Sequence, residues 1–432
     1  MFKYIKEIWQ AKDLRNKILF TLFAIIIYRL LSHVTIPGAN LESLAAVFDK
    51  NKILGAFSLL TGGSAKNFSI VLMGLSPYIN AVIIIQLLQV VIPKLEQMSQ
   101  EGEQGRQKIT SITRWLTFPL AFVQSYGMIL LLTSQASVEI ITDINNPLVI
   151  LPIMLTVSAG TVVLMWLGEL ITEKGISNGV SILIFSGIIA GLPGIAGQTL
   201  ALATQDTTKL IPFVGGILIT IALTVVIIMI TEGQRRIPVT YAGHSKSTRG
   251  EQASLPIRIN QAGMIPIIFA VSMITFPGVI AQFMENAASP WVITLGEWMK
   301  SAFTVGQPLY MISYFLLIIA FTYFYVSITF NPDQVAENIQ KRGGFIPGIR
   351  PGKQTAEYLK AVSNRLNLFG GLFIAFIAVL PILLQQIFSG TSGGSVPMLI
   401  SGAGMIIVVG VVLELIRQVN AQLIMHNYEK FY

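Results

Sequence analysis

Cysteine is absent from this 432-residue chain, which excludes disulfide bridges and thiolate metal sites. Histidine is scarce: His33, His244 and His426 are scattered without ligand spacing and read as surface or interfacial residues. Charged residues make up 12% of the chain, against about 25% in soluble globular domains. The P-loop pattern (GxxxxGK followed by Ser or Thr) does not occur, so no such loop can hold a nucleotide. The alternating strand pattern of a membrane barrel is missing as well. A basic start leads into an apolar run long enough to span, with no small-residue cleavage site, so a removable signal peptide is not expected.

Apolar residues fill the space the charges leave: 53% of the chain is hydrophobic and the mean hydropathy is +0.69. Ten apolar runs stand near 18–36, 69–91, 115–134, 148–171, 178–196, 211–231, 263–284, 308–330, 367–388 and 396–417. They approach the roughly 20 residues needed to cross a hydrocarbon core of about 30 Å. The pattern predicts an all-α polytopic membrane protein with ten transmembrane helices. Divided into halves of five, residues 1–200 and 201–432, the odd number per half gives the second half the opposite orientation. An inverted repeat with a pathway between the halves follows from that count.

Lys and Arg counts in the connections set the orientation. With both termini cytoplasmic, the inner segments hold 23 of the 29 basic residues, and the outer ones only Lys50, Lys52, Lys66, Lys209 and Lys300. The net charge of +8 is thus gathered on one face, chiefly in two connections at 232–262 and 331–366. Attraction to anionic lipid accounts for charge near span ends. It accounts less well for the length of these connections, since loops beyond about 12–15 residues are usually functional or disordered.

The first of them pairs Arg235 and Arg236 just past a span, then alternates β-branched and polar residues about a turn-like "AGHSKSTRGEQ", which reads as a projecting hairpin. The second opens with a capped amphipathic helix at about 332–342, stopped by two glycines. In "FIPGIRPGKQT" that follows, Pro347 and Pro351 stiffen a tip that presents Arg350, with Lys353 close behind. A stiffened tip loses little entropy on binding, which suits a docking element for a soluble partner; a plain solvated loop is the alternative.

Residues 55–65, "GAFSLLTGGSA", are apolar at Phe57, Leu59 and Leu60 and broken at Gly62 and Gly63. A helix there is too short to span and cannot leave its ends in lipid, so it folds back into a space enclosed by protein. A gating element and a simple re-entrant turn both fit. Among the spans, Arg29, Glu169 and Glu414 are the ionisable candidates and fall toward span ends. Gln86 lies deep in the second span, where a polar side chain facing lipid is costly.

"FIPGIRPGKQTAEYL", "TEGQRRIPV", "ITEKGISNGVSILIFSGIIAGLP", "EGEQGRQKIT" and "SPYINAVIIIQLL" resemble the signature stretches of the SecY family, the central subunit of the bacterial Sec protein translocase. The resemblance runs through nearly the whole chain in order. It implies a clamshell of two inverted five-helix halves, with 55–65 as a plug half-helix in the outer funnel. It implies a mid-membrane ring of aliphatic side chains at Leu75, Ile79, Ile184, Ile188, Ile268 and Ile407; from the residues alone these six would simply be packed Leu and Ile. It implies a lateral gate between spans 2 and 3 and spans 7 and 8, toward which Gln86 is expected to face. Arg235, Arg236, Arg350 and Lys353 become docking residues for the SecA ATPase or a ribosome, beside SecE and SecG subunits. The expected work is that of a channel for signal sequences and unfolded polypeptides in the bacterial cytoplasmic membrane, with no catalysis and no cofactor. "QGRQKI" departs from the family's double-basic form, so no contact of a second arginine is carried over. A ten-span secondary transporter is the alternative of another class.

Overall fold

The computed structural model describes residues 7–37, 40, 44, 63–135, 141, 146–205, 210–241, 254–285, 289–391 and 401–429. Apolar runs become helices, since a chain in lipid must satisfy its backbone internally. In order these are α1 (Lys12–Leu31), α2 (Ser76–Val91), α3 (Pro93–Gln100), α4 (Glu103–Gln135), α5 (Pro147–Lys174), α6 (Gly179–Gln205) and α7 (Leu210–Glu232). Then come α8 (Ile265–Glu285), α9 (Pro290–Ala302), α10 (Pro308–Thr329), α11 (Pro332–Lys341), α12 (Lys353–Thr391) and α13 (Gly402–Glu429). Among the described residues, α4, α5, α6, α7, α10, α12 and α13 are long and apolar enough to cross a membrane. The pair α2–α3, bent by 108° at Ile92 where Pro93 follows, makes an eighth. Two expected spans remain: α1, which carries Lys12, Arg15, Lys17 and Arg29, and α8, whose apolar stretch is short. This is a multi-pass, mostly helical membrane protein consistent with ten spans.

Two boundaries differ from the sequence reading for clear physical reasons. The second apolar run does not enter as helix at 69: residues 63–75 form turns, with Phe68 at φ +46° and Gly74 at φ +55°, backbone states that break a right-handed helix. The ninth run is the inner part of one continuous 39-residue helix, α12, about 58 Å long at 1.5 Å per residue and so far longer than a hydrocarbon core. Its first turns, through Ala356, Leu359 and Val362, pack instead with the β-strands.

Packing falls into distinct apolar clusters. One draws only on residues 36–157, among them Phe68, Leu72, Ile129 and Leu132. A second draws on 227–409, with Ile83 of α2 added. A third joins α1, α5 and α6 to Met264, Ile407 and Val411 and so lies between the other two. Close approach is secured by glycine: a β-carbon at Gly160 of α5 would collide with the Ile70 carbonyl, and one at Gly370 of α12 would stand 2.6 Å from the Ile259 carbonyl. Of the seven long apolar helices, α7 leans least on the rest, with 17% of its most apolar stretch buried.

At one end of the bundle the two long connections fold together. β1 (Gln234–Pro238) pairs antiparallel with β3 (Ser254–Arg258), the expected hairpin. β2 (Thr240–Tyr241) pairs with β4 (Gly344–Phe345) of the other connection, which the sequence reading did not anticipate. Ile237, Val239 and Ile257 pack with Ile339 and Ile346 and with Leu359 of α12 in one buried cluster.

Candidate functional site

The six aliphatic positions of the expected ring come together. Leu75, Ile184, Ile188 and Ile407 are buried members of the third cluster, and Ile79 and Ile268 pack against it. They arrive from four separate helices. Leu75 is the residue on which α2 begins, and its carbonyl accepts the Ile79 N–H at 2.9 Å, so the i, i+4 relation holds although 69–75 is not helical. Ile184 and Ile188 share one face of α6. Ile268 lies in the first turn of α8 and Ile407 in the second turn of α13, where it is fully buried. All six side chains are aliphatic, and a cluster of such side chains offers water no hydrogen bond.

On the side of the β-strands opens a cavity of about 360 Å³. Its lining includes Met264 and Ile406, the neighbour of Ile407, together with Arg258, Glu414, Arg417 and Gln418. The charges are balanced: Arg417 is ion-paired with Glu232 at the end of α7, and the Gln418 amide donates to Glu414 Oε1 at 3.5 Å. Burial, then the nearby Arg417 charge, lowers the Arg258 guanidinium from its ordinary value, opposed by Glu232 and Glu414. The result is a vestibule lined by polar and apolar side chains together. No sequence signal pointed to it, because its walls come from β3, the 259–264 connection and α13.

The helices of the expected gate meet. α8 touches both α2 and α4, and packs along α10. Gln86 of α2 is half-buried, and its Oε1 is enclosed without a hydrogen-bond partner. On the same helix Asn80, 5% exposed, also has an unpartnered Oδ1, a polar position the sequence reading missed.

The basic positions lie on the strand-bearing end. Arg235 and Arg236 are both exposed along β1. Arg350 and Lys353 are exposed as well. The tip that carries Arg350 is held from below: its carbonyl accepts the Thr355 hydroxyl at 2.9 Å, and the Ile349 N–H closes a turn on the Ile346 carbonyl at 3.0 Å. Gly348 and Gly352 on either side take φ of +82° and +96°, which favours glycine. The Asn331 side chain caps α11 by accepting from the Asp333 and Gln334 N–H groups, and Gly343 at φ +69° follows its end, as the sequence suggested.

Of the plug positions, Phe57, Leu59, Leu60 and Gly62 lie outside the described residues; Gly63, at φ +84°, lies within them. Of the ionisable groups in the spans, Glu169 of α5 forms an ion pair with Arg114 of α4 at 2.8 Å, and Glu414 faces the vestibule. Among the described residues no three His, Asp or Glu side chains gather as a metal site would.

A sequence model of the SecY family matches residues 69–416. The chain is 40% identical to the protein translocase subunit SecY of Bacillus licheniformis, over 100% of this chain and 99% of that protein. It is 39% identical to the protein translocase subunit SecY of Streptomyces griseus, over the whole of both chains. In fold it is similar to a protein-conducting channel, with a TM-score of 0.68 at 16% identity, covering 94% of this chain and 92% of that one. It is also similar to a SecY whose plug domain stabilises the closed state and maintains a membrane seal, with a TM-score of 0.65 at 18% identity. That match covers 94% of this chain and 92% of that one. A third likeness is to Sec61 in a canine ribosome–channel complex, with a TM-score of 0.64, 17% identity and the same coverage.

Proposed function

This chain belongs to the SecY family of protein translocase subunits, and we propose that it is a passive channel for unfolded polypeptides in a bacterial cytoplasmic membrane. The observation that carries this reading is the gathering of the six aliphatic positions. Six Leu and Ile side chains from four helices share one apolar cluster, which supports a ring that would seal against ions yet make no fixed polar bond with a passing chain. A secondary transporter would need ionisable groups free to bind and release ions near the bilayer centre. Glu169 is instead ion-paired with Arg114, and Glu414 accepts from Gln418.

The remaining parts of the machine are assigned on the same reading. Leu75, Ile79, Ile184, Ile188, Ile268 and Ile407 form the pore ring. Residues 1–200 and 201–432 are the two inverted halves, supported by cores that draw almost wholly on one half or the other. The seam of α2 and α4 against α8 and α10 is the lateral gate through which signal sequences and membrane segments reach lipid. The position of Gln86 supports it, since a polar side chain in an apolar span is costly facing lipid. Residues 55–65 form the plug, with Phe57, Leu59, Leu60, Gly62 and Gly63 setting its apolar face and its break. The strand-bearing end faces the cytoplasm, as the excess of Lys and Arg there requires. There Arg235, Arg236, Arg350 and Lys353 dock the SecA ATPase or a ribosome. SecE and SecG complete the assembly, and anionic lipid attracts the basic span ends. The chain supplies no catalysis, so the energy comes from its docked partner.

Reconstitution tests the whole reading. Vesicles holding this chain with its companion subunits and a motor ATPase should import a signal-bearing polypeptide on adding ATP. Accumulation of a small solute driven by an ion gradient, with no polypeptide import, would instead support a transporter.

A further inference from the structure

Helix α9 lies in the connection between α8 and α10, at the end of the bundle opposite the β-strands. Its residues sort into three arcs. Val292, Ile293, Gly296 and Met299 are turned inward; the helix packs along α8, and Phe303 at its end packs into the neighbouring core. Thr294, Glu297 and Ser301 form an exposed polar arc. Between these, Trp291, Leu295 and Trp298, spaced i, i+4, i+7, stand 71%, 41% and 56% exposed. An exposed Trp-Leu-Trp stripe flanked by a polar arc is poorly suited to water.

We infer that α9 lies flat in the outer membrane interface, with Trp291, Leu295 and Trp298 inserted at the boundary between head groups and acyl chains. Its partner is the lipid surface itself. Position favours lipid over a soluble protein: α9 joins the ends of two helices that lie in the membrane, so it sits at bilayer height by connectivity. Just after it, Leu309, Ile312 and Leu316 of α10 are 37%, 57% and 58% exposed along a membrane span. Tryptophan suits that depth, with an apolar ring and one N–H for the wet side. The amphipathic make-up is that of helices lying in an interface. On the channel reading above, α8 is one wall of the gate, and α9 then holds its outer end at the membrane surface. The Gln386 side chain of α12 donates to the Gly306 carbonyl just beyond α9, tying the segment to the bundle.

Lipid-depth quenching decides it without any translocation assay, so its failure and the failure of the channel reading are separable. A W9F/W115F/W166F variant keeps only Trp291 and Trp298 of the five tryptophans. In phosphatidylcholine vesicles brominated at carbons 6 and 7, its emission should fall at least twofold. Bromines at carbons 11 and 12 should quench less, and acrylamide should quench weakly. Should the triple variant fail to fold, Leu295→Cys in this cysteine-free chain gives a single site for an environment-sensitive fluorophore, and the same depth profile is expected. Emission untouched by either bromolipid, whether acrylamide reaches the probe or a second copy or protein subunit shields it, would overturn the inference.

Discussion

The Tyr241 ring lies so close over the Gly344 backbone that a β-carbon on Gly344 would stand 2.7 Å from Tyr241 Cε1. That contact accompanies the β2–β4 ladder and holds two connections, a hundred residues apart in sequence, as one unit. Gly344→Ala should therefore overpack the joint, at about 1–3 kcal/mol. Thermal unfolding in detergent should show the loss, and Tyr241→Ser added to it should recover part. An unchanged midpoint would mean that the ring simply turns aside.

The constriction gives a second expectation. Replacing both Ile79 and Ile188 by Ser places hydroxyls in the aliphatic layer, where they offer water hydrogen bonds. Planar-bilayer recording should then show frequent ion-conducting openings of the resting protein. A trace as silent as the parent's would count against these side chains forming the seal.

Arg350→Glu should abolish motor-driven import while leaving assembly intact. The tip is exposed and held by Thr355 and Ile349, so the change reverses a charge without removing a structural contact. A guanidinium in that place is suited to charge-assisted bonds with a partner carboxylate. Normal ATP-dependent import by the variant would remove Arg350 from the docking surface.

For residues 55–65 the test uses the missing cysteine. A thiol introduced by Ser58→Cys would be the only one in the chain. On the plug reading, a membrane-impermeant maleimide added from outside should label it slowly at rest and faster during translocation, since each large apolar side chain held in a closed funnel would contribute roughly 1.5–3 kcal/mol when fully buried. Equal rates in the two states would make the segment an ordinary exposed loop.

The membrane-spanning helices were legible because lipid leaves a chain little choice but helix, and runs such as 211–231 advertise their length. Boundaries were less so where backbone state overrode apolarity, as at Phe68 and Gly74 before α2. The hairpin at β1 and β3 showed in local alternation. Its partnership with Gly344 could not, since nothing near Tyr241 names a residue so distant. The six aliphatic positions share the composition of every other span, and only family likeness singled them out. The vestibule and the Trp291–Leu295–Trp298 stripe escaped for opposite reasons: the first is built from distant segments, the second from a connection too short to read as a span.

Helix α7, so little covered by its neighbours, bears on how the protein is made. Its run from Leu210 to Thr231 holds no charged residue, and Leu, Ile, Val and Phe each favour the bilayer centre by about 0.3–0.6 kcal/mol. Such a segment can leave the ribosome and settle in lipid alone. α1, with four basic residues near its ends, and α8, with its short apolar stretch, gain less by entering unaided. Of the long apolar helices, α7 is thus the one best suited to stand in lipid before its neighbours pack around it.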